Sequence, residues 1–144
     1  MVYGLQYEHF TEESIERFHT VDWVVTPQAD RMGIRLGGSA LGFKSSSRDR
    51  RHVLGGNAPS NIPTEGNPLG SIQCPAGDEL IVIGPDGPCE GGYAKLGTVI
   101  RADFPLLAQM KPGDLVRFEP VSLDTAYSEL DSQMAMLEDD LEVV

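Results

Sequence analysis

The chain has 144 residues and a mass of 15.6 kDa, one domain's worth, and such a length buries about 70% of the surface its unfolded form exposes. Eleven basic against twenty-two acidic residues leave a net charge of −11 and a pI near 4.5, which excludes a generic nucleic-acid binder, because phosphate binding needs a positive field. At 40% hydrophobic and 23% charged residues the chain is globular in composition, and no apolar run approaches the roughly 18 residues of a membrane span.

Glu8, Glu12 and Glu13 crowd the N-terminal segment, so it is no secretory signal. Cys74 and Cys89 make no CxxC pair, and His9, His19 and His52 lack metal-ligand spacing. The expectation is a cytoplasmic, reduced protein without a metal.

Residues 2–6 read as a short strand. Thr11 then caps a helix from Glu12 to about Phe18, with Glu12 and Glu13 in the dipole-favoured first turn. Thr20 to Thr26 is β-branched and aromatic and reads as a strand that Pro27 ends. Gly33 to Leu36 is another. From Gly37 to Pro68 the chain is rich in Gly, Ser, Asn and Pro, with a basic cluster at Lys44, Arg48, Arg50, Arg51 and His52. It reads as mostly loop, with a brief strand near His52–Leu54, and so long a loop is usually functional or mobile.

Ser71 to Cys74 and Glu79 to Gly84 are strands around a turn at Pro75–Asp78. Pro85 to Gly92 reads as a Gly/Pro turn, and Ala94 to Ala102 contains a strand. Asp103 is expected to cap a short helix reaching Gln109. Lys111-Pro112-Gly113-Asp114 is a turn signal, and Leu115 to Phe118 the last strand. Beyond it, Leu123, Tyr127, Leu130, Met134, Leu137 and Leu141 are spaced 4, 3, 4, 3, 4, one apolar stripe on a helix. Residues 122–144 hold seven acidic residues and no basic one. The stripe either docks on the chain's own β body or serves a partner.

No Walker A loop, G-x-S-x-G elbow or H-E-x-x-H pair is present. Several positions still suit chemistry. Arg31 and Arg35, four apart around a short strand, would face one way and clamp an anion or ureido oxygen; the plain alternative is two surface ion pairs. Glu65, beside Gly66, suits a substrate-facing turn, or simple solvation. Gln73, opposite in facing to Ile72, would read a small polar ligand if it points into a barrel. The stretch Asp86 to Lys95 is the densest candidate: Gly91 and Gly92 allow close backbone approach, and Tyr93 and Lys95 alternate beyond them. Lys95 suits a developing oxyanion; otherwise the stretch is a long hairpin turn. Cys89 lacks a histidine in a triad-like context.

The string PQADRMGIRL at 27–36 resembles the P-x-S/A-D-R-M-G-x-R-L signature of the biotin-dependent carboxyltransferase family, also called allophanate hydrolase subunit 2 or KipA-like, which includes a 5-oxoprolinase subunit. The similarity continues through Glu65-Gly66, Gly70, Ile72-Gln73, Pro75, Asp86, Gly91-Gly92-Tyr93, Val99-Ile100, Ala102-Asp103, Gln109 and Pro112-Gly113-Asp114. It covers about residues 2–122 and corresponds to the C-terminal half of family members. Pro88-Cys89-Glu90 stands where many members have Gln-Thr-Thr. Ala58–Ile62 and the Gly84–Pro88 turn are similar to the carboxyltransferase domain of urea carboxylase.

The resemblance implies a mainly β fold, a cyclophilin-like β-barrel with short helices over 1–121, followed by an acidic amphipathic C-terminal helix over 122–144. It implies a subunit or domain of a KipI/KipA-type complex acting on a small amide or lactam. The reaction is either ATP-dependent 5-oxoproline hydrolysis or carboxyl transfer from carboxybiotin to urea or a similar amide. Glu65, Asp86 and Lys95 are then the catalytic candidates, and Arg31, Arg35, Gln73, Gly91, Gly92 and Tyr93 bind substrate. No A/V-M-K-M biotinylation string is present, so no cofactor is expected to be attached covalently, and ATP or carboxybiotin would come through partner subunits. The expected partners are a KipI-like protein and a lactam-hydrolase or biotin-carrier subunit, in a hetero- or homo-oligomer. The alternative is a non-catalytic regulatory module that engages a KipI-like partner.

Overall fold

The computed structural model describes residues 1–44, 58–75 and 78–141. The basic cluster from Arg48 to His52, the brief strand expected near Leu54 and the tip of the Pro75–Asp78 turn lie outside the described residues. Among the described residues there are nine strands: β1 (Val2–Tyr3), β2 (Trp23–Val25), β3 (Gly33–Gly37), β4 (Asn61–Gly66), β5 (Ser71–Gln73), β6 (Glu79–Ile83), β7 (Glu90–Tyr93), β8 (Lys95–Thr98) and β9 (Leu115–Val116). The α-helices among the described residues are α1 (Glu12–Thr20), α2 (Phe104–Ala108) and α3 (Leu123–Leu141).

Seven strands form one antiparallel sheet in the order β1-β8-β5-β6-β3-β2-β9, and β4 and β7 make a separate ribbon. The sheet curls, so the fold is mostly β and of the cyclophilin-like kind expected. Its two edges meet. The Met1 nitrogen donates to Glu119 O at 2.8 Å, and Val121 N donates to Met1 O at 2.9 Å. His19 on α1 ties the same seam, with Nδ1 2.8 Å from Phe118 O and Nε2 2.7 Å from the Tyr3 hydroxyl. These bonds satisfy edge groups that an open sheet would leave to another chain.

The core inside the curl is built from Phe10, Phe18, Trp23, Leu36, Ile72, Leu80, Val82 and Leu96, all buried. Strand alternation supplies it: in β6, Leu80 and Val82 point inward while Glu79 and Ile81 lie nearer solvent. Phe18 reaches the core because α1 is anchored at its start. Thr11 Oγ1 accepts from Ser14 N at 3.2 Å, the expected cap, and the helix runs two residues beyond Phe18. The turn at 111–114 forms as expected, with Gly113 at φ +96° and Asp114 Oδ2 accepting from Lys111 N at 2.9 Å.

Three expectations need correction. Asn61–Gly66 is a strand, although it lay in the stretch read as loop; Pro63 and two polar ends hid it, and its register against β7 shifts between Asn61 and Glu65. Glu90–Tyr93 is its partner strand rather than part of a turn, because ladder bonds to β4 outweigh the poor strand propensity of Gly91-Gly92. Asp103 makes no capping bond from its side chain; a 3-10 turn over Arg101–Asp103 leads directly into α2.

Candidate functional site

The β4–β7 ribbon meets the sheet at β5 and β8, and polar side chains gather at that junction. Lys95, the first residue of β8, has a side chain only 7% exposed, and its Nζ donates to Glu65 Oε1 at 2.8 Å. Gln6 Nε2 donates to the same oxygen at 2.9 Å, and Gln6 Oε1 accepts from Lys95 N at 3.4 Å. Glu65 Oε1 thus takes two donors. Burying an ammonium is costly unless a carboxylate and good geometry offset the lost hydration. Here the carboxylate keeps 38% of its side chain in contact with solvent, so the pair is dry at the lysine and open at the acid.

Burial pushes the Glu65 carboxyl up. Hydrogen bonds from Lys95 and Gln6, then the charges of Lys95 and His9, outweigh it and hold the group below the ordinary carboxylate range. His9 ends the 3-10 turn Tyr7–His9 and donates its backbone N–H to Gln6 O at 2.9 Å, so one short turn sets both residues against Glu65.

Asn67 stands two residues past Glu65. Its Oδ1 accepts from Gln73 Nε2 at 3.2 Å, and its Nδ2 donates to Pro88 O at 3.0 Å. Asn67 and Gln73 are both buried, and Gln73 is the register partner of Lys95. A β-carbon at position 91 would overlap Gln73 Nε2. Gly91 therefore leaves the notch into which the Gln73 amide fits. Gly92 continues β7, and Tyr93, in register with Asn61, is half exposed.

The arginines and Asp86 lie apart from this cluster. Arg31 precedes β3 and makes a bidentate fork with Asp86, Nε to Oδ2 at 2.5 Å and Nη2 to Oδ1 at 3.0 Å. That bond, with the Arg31 charge, holds Asp86 below the ordinary carboxylate range against the opposing effect of desolvation. Arg35 Nη1 donates to Glu79 Oε2 at 2.8 Å, a diagonal pair across β3 and β6. The strand begins at Gly33, so Arg31 is outside the alternation that would have set it beside Arg35. Among the described residues, no hydrogen bond or ion pair joins Arg31, Arg35 or Asp86 to Lys95 or Glu65. Arg31 instead lines a cavity of about 510 Å³ whose walls include Ile34, Leu69, Val82, Phe104 and Leu107.

Of the residues singled out in the sequence, Glu65, Gln73, Gly91 and Lys95 come together. Gln6, His9 and Asn67 join them unannounced. Asn67 was within reach, since a residue two beyond Glu65 shares its side of an extended chain; Gln6 and His9 carry no sequence signal. The cluster presents a fixed ammonium, an anchored carboxylate and three buried carboxamides, those of Gln6, Asn67 and Gln73. That set can hold a small polar group and stabilise negative charge on a carbonyl oxygen.

Known proteins share this frame. A urea amidolyase from Lachancea kluyveri is 34% identical over 131 residues, 91% of this chain and 7% of that protein. A 5-oxoprolinase subunit of Escherichia coli is 30% identical over 135 residues, 94% of this chain and 39% of that one. The solved urea amidolyase of Kluyveromyces lactis superposes with a TM-score of 0.85 at 30% identity, over 96% of this chain and 8% of that chain. The chain thus spans well under half the length of these relatives. Residues 1–120 match the carboxyltransferase domain, subdomain A and B; with the sheet, the ribbon and the Lys95 cluster in place, the chain belongs to the carboxyltransferase-domain family.

Proposed function

We propose that the chain is the part of a larger amide- or lactam-processing enzyme that polarises the substrate carbonyl, with Lys95 as the electrophile. The Lys95–Glu65 pair, buried at the lysine, carries this reading. An ammonium held by a carboxylate is aimed, and in a dry setting its charge acts strongly on a developing oxyanion. Glu65, held below the ordinary carboxylate range, is a weak base; it anchors and orients Lys95. Gln73, steadied by Asn67, orients the amide. Gly91, Gly92 and Tyr93 supply backbone and rim. Arg31, Arg35 and Asp86 belong to a second face, where a substrate carboxylate or a neighbouring domain would meet them.

The acceptor we favour is urea or a similar amide, because the solved urea amidolyase superposes with a TM-score of 0.85 over 96% of the chain. Carboxybiotin, when bound, supplies the carboxyl group; the carboxamides of Gln73 and Asn67 and the Lys95 ammonium suit a ureido carbonyl. The 5-oxoprolinase reading stands beside it on the 94% of this chain that aligns with the Escherichia coli protein. In that reading Lys95 and Gln73 receive the lactam carbonyl. Either way the chain works in the cytoplasm beside a KipI-like subunit or domain.

The test is Lys95→Met in the complete enzyme, assayed for carboxybiotin-dependent carboxylation of urea and for ATP-dependent 5-oxoproline hydrolysis. Turnover in the active assay should fall at least about 100-fold, in the range of losing an oxyanion donor. Full turnover with an intact fold would remove Lys95 from the site.

A further inference from the structure

Helix α3 touches the body along one edge only. Ala126, Leu130 and Gln133 are half-buried, and Gln133 Nε2 donates to Ala102 O at 3.1 Å. The rest of its apolar stripe faces out: Leu123 is 60% exposed, Tyr127 65% and Met134 49%. Beside it runs a groove of about 300 Å³ between α3 and the edge strand β1, walled by Val2, Tyr3, Ile100, Leu123, Tyr127 and Leu130.

Charge decides what fits there. Asp124, Asp131 and Glu138 are all exposed and recur every seven residues. Seven residues is just under two turns, so the three form one row about 10.5 Å apart along the axis. At 100° per residue this row falls directly beside Leu123, Tyr127 and Met134. The helix carries six acidic residues and no basic one. A second copy laid against it would set acid against acid with no cation between them. A partner with cations flanking an apolar seam would find both halves of its match.

We propose that the outer face of α3, with the groove along β1, is a docking surface for a basic amphipathic helix of a partner protein. Its apolar seam would pack on Leu123, Tyr127 and Met134. Its lysines or arginines, at seven-residue spacing, would face Asp124, Asp131 and Glu138.

The probe is a synthetic amphipathic helical peptide of three heptads, with a leucine seam and lysines in the flanking row, and a twin carrying glutamate instead. Anisotropy of the labelled peptides is followed against the full chain, against D124N/D131N/E138Q and against Tyr127→Ser/Met134→Ser. All five positions are exposed, and circular dichroism checks that each variant keeps its fold. The lysine peptide should bind the parent chain in the micromolar range. It should bind each variant about tenfold more weakly or worse, and the glutamate twin should not bind. Equal binding to all three proteins would mean general attraction to a chain of net charge −11 and would overturn the proposal, as would no binding of the lysine peptide. A dimer in sedimentation velocity that Tyr127→Ser/Met134→Ser removes would assign the face to a second copy and overturn it too.

Discussion

Two ion pairs sit at opposite extremes of the same small fold. Lys95 and Glu65 meet where the ribbon joins the sheet, with the lysine side chain 7% exposed. Arg31 and Asp86 meet in a better-formed, bidentate fork, yet their side chains are 75% and 50% exposed. Geometry favours the second pair and burial favours the first. Water screens the Arg31 fork, so its two bonds contribute little that solvent would not. The Lys95 bond cannot be replaced, since its loss strands a charge away from water. A fork seen in the structure is thus a poor guide to importance, and the accessibility of the cation a better one.

The comparison can be broken most forcefully at Lys95. Beyond its effect on turnover, Lys95→Ala should lower unfolding free energy by about 2–3 kcal/mol in chemical denaturation, for the lost stem packing and the lost charge-assisted bond to Glu65. A loss no larger than that of Arg31→Ala would mean that burial does not separate the two pairs. Gly91→Ala comes next. Its methyl would push the Gln73 amide off Asn67, costing about 1–2 kcal/mol for a buried hydrogen bond left unmade. A crystal structure with Gln73 unmoved would refute the notch.

The acid limb of the stability curve sharpens the contrast further. Glu65 has a folded pKa below its ordinary value of 4.5. Its contribution is therefore fully present above that value and is lost as pH falls through the lower folded one. Glu65→Gln should flatten the slope in that window and leave the curve above pH 6 parallel to the parent's. Asp86→Asn should flatten it less, because solvent screens its pair. The smallest effect belongs to Arg31→Ala, with Tm within about 1 °C of the parent.

Much of the fold was legible because its strands are written in β-branched and apolar alternation: TVDWVVT gave β2, GIRL gave β3, ELIVIG gave β6. Thr11 followed by two glutamates marked α1, and Lys-Pro-Gly-Asp marked its turn. The ribbon was not legible. NIPTEG and EGGY have neither alternation nor propensity, and each is a strand only because the other lies beside it. The site inherits that division. Lys95 and Gln73 sit on legible strands, whereas Glu65 and Gly91 stood out only as a carboxylate beside glycine and a glycine pair, with no strand assigned to either. Gln6 and His9 reach the cluster by a contact across nearly 60 residues of sequence, Gln6 to Glu65, which no local pattern encodes. The apolar stripe of α3 was legible to the residue, but whether it docks inward depends on the shape of the body beneath it, and among the described side chains of the helix Ala126, Leu130 and Gln133 are the half-buried ones.

The seam that closes the sheet also fixes how the unit can be wired. Met1 and Val121 lie one hydrogen bond apart although 120 positions separate them. A polypeptide running into residue 1 and out past residue 121 would enter and leave through the same doorway. Such a unit can be spliced between other domains without moving them apart, and lifted out without severing its own sheet. That is the geometry of a cassette, and it suits a fold that recurs as 7% of one protein and 39% of another.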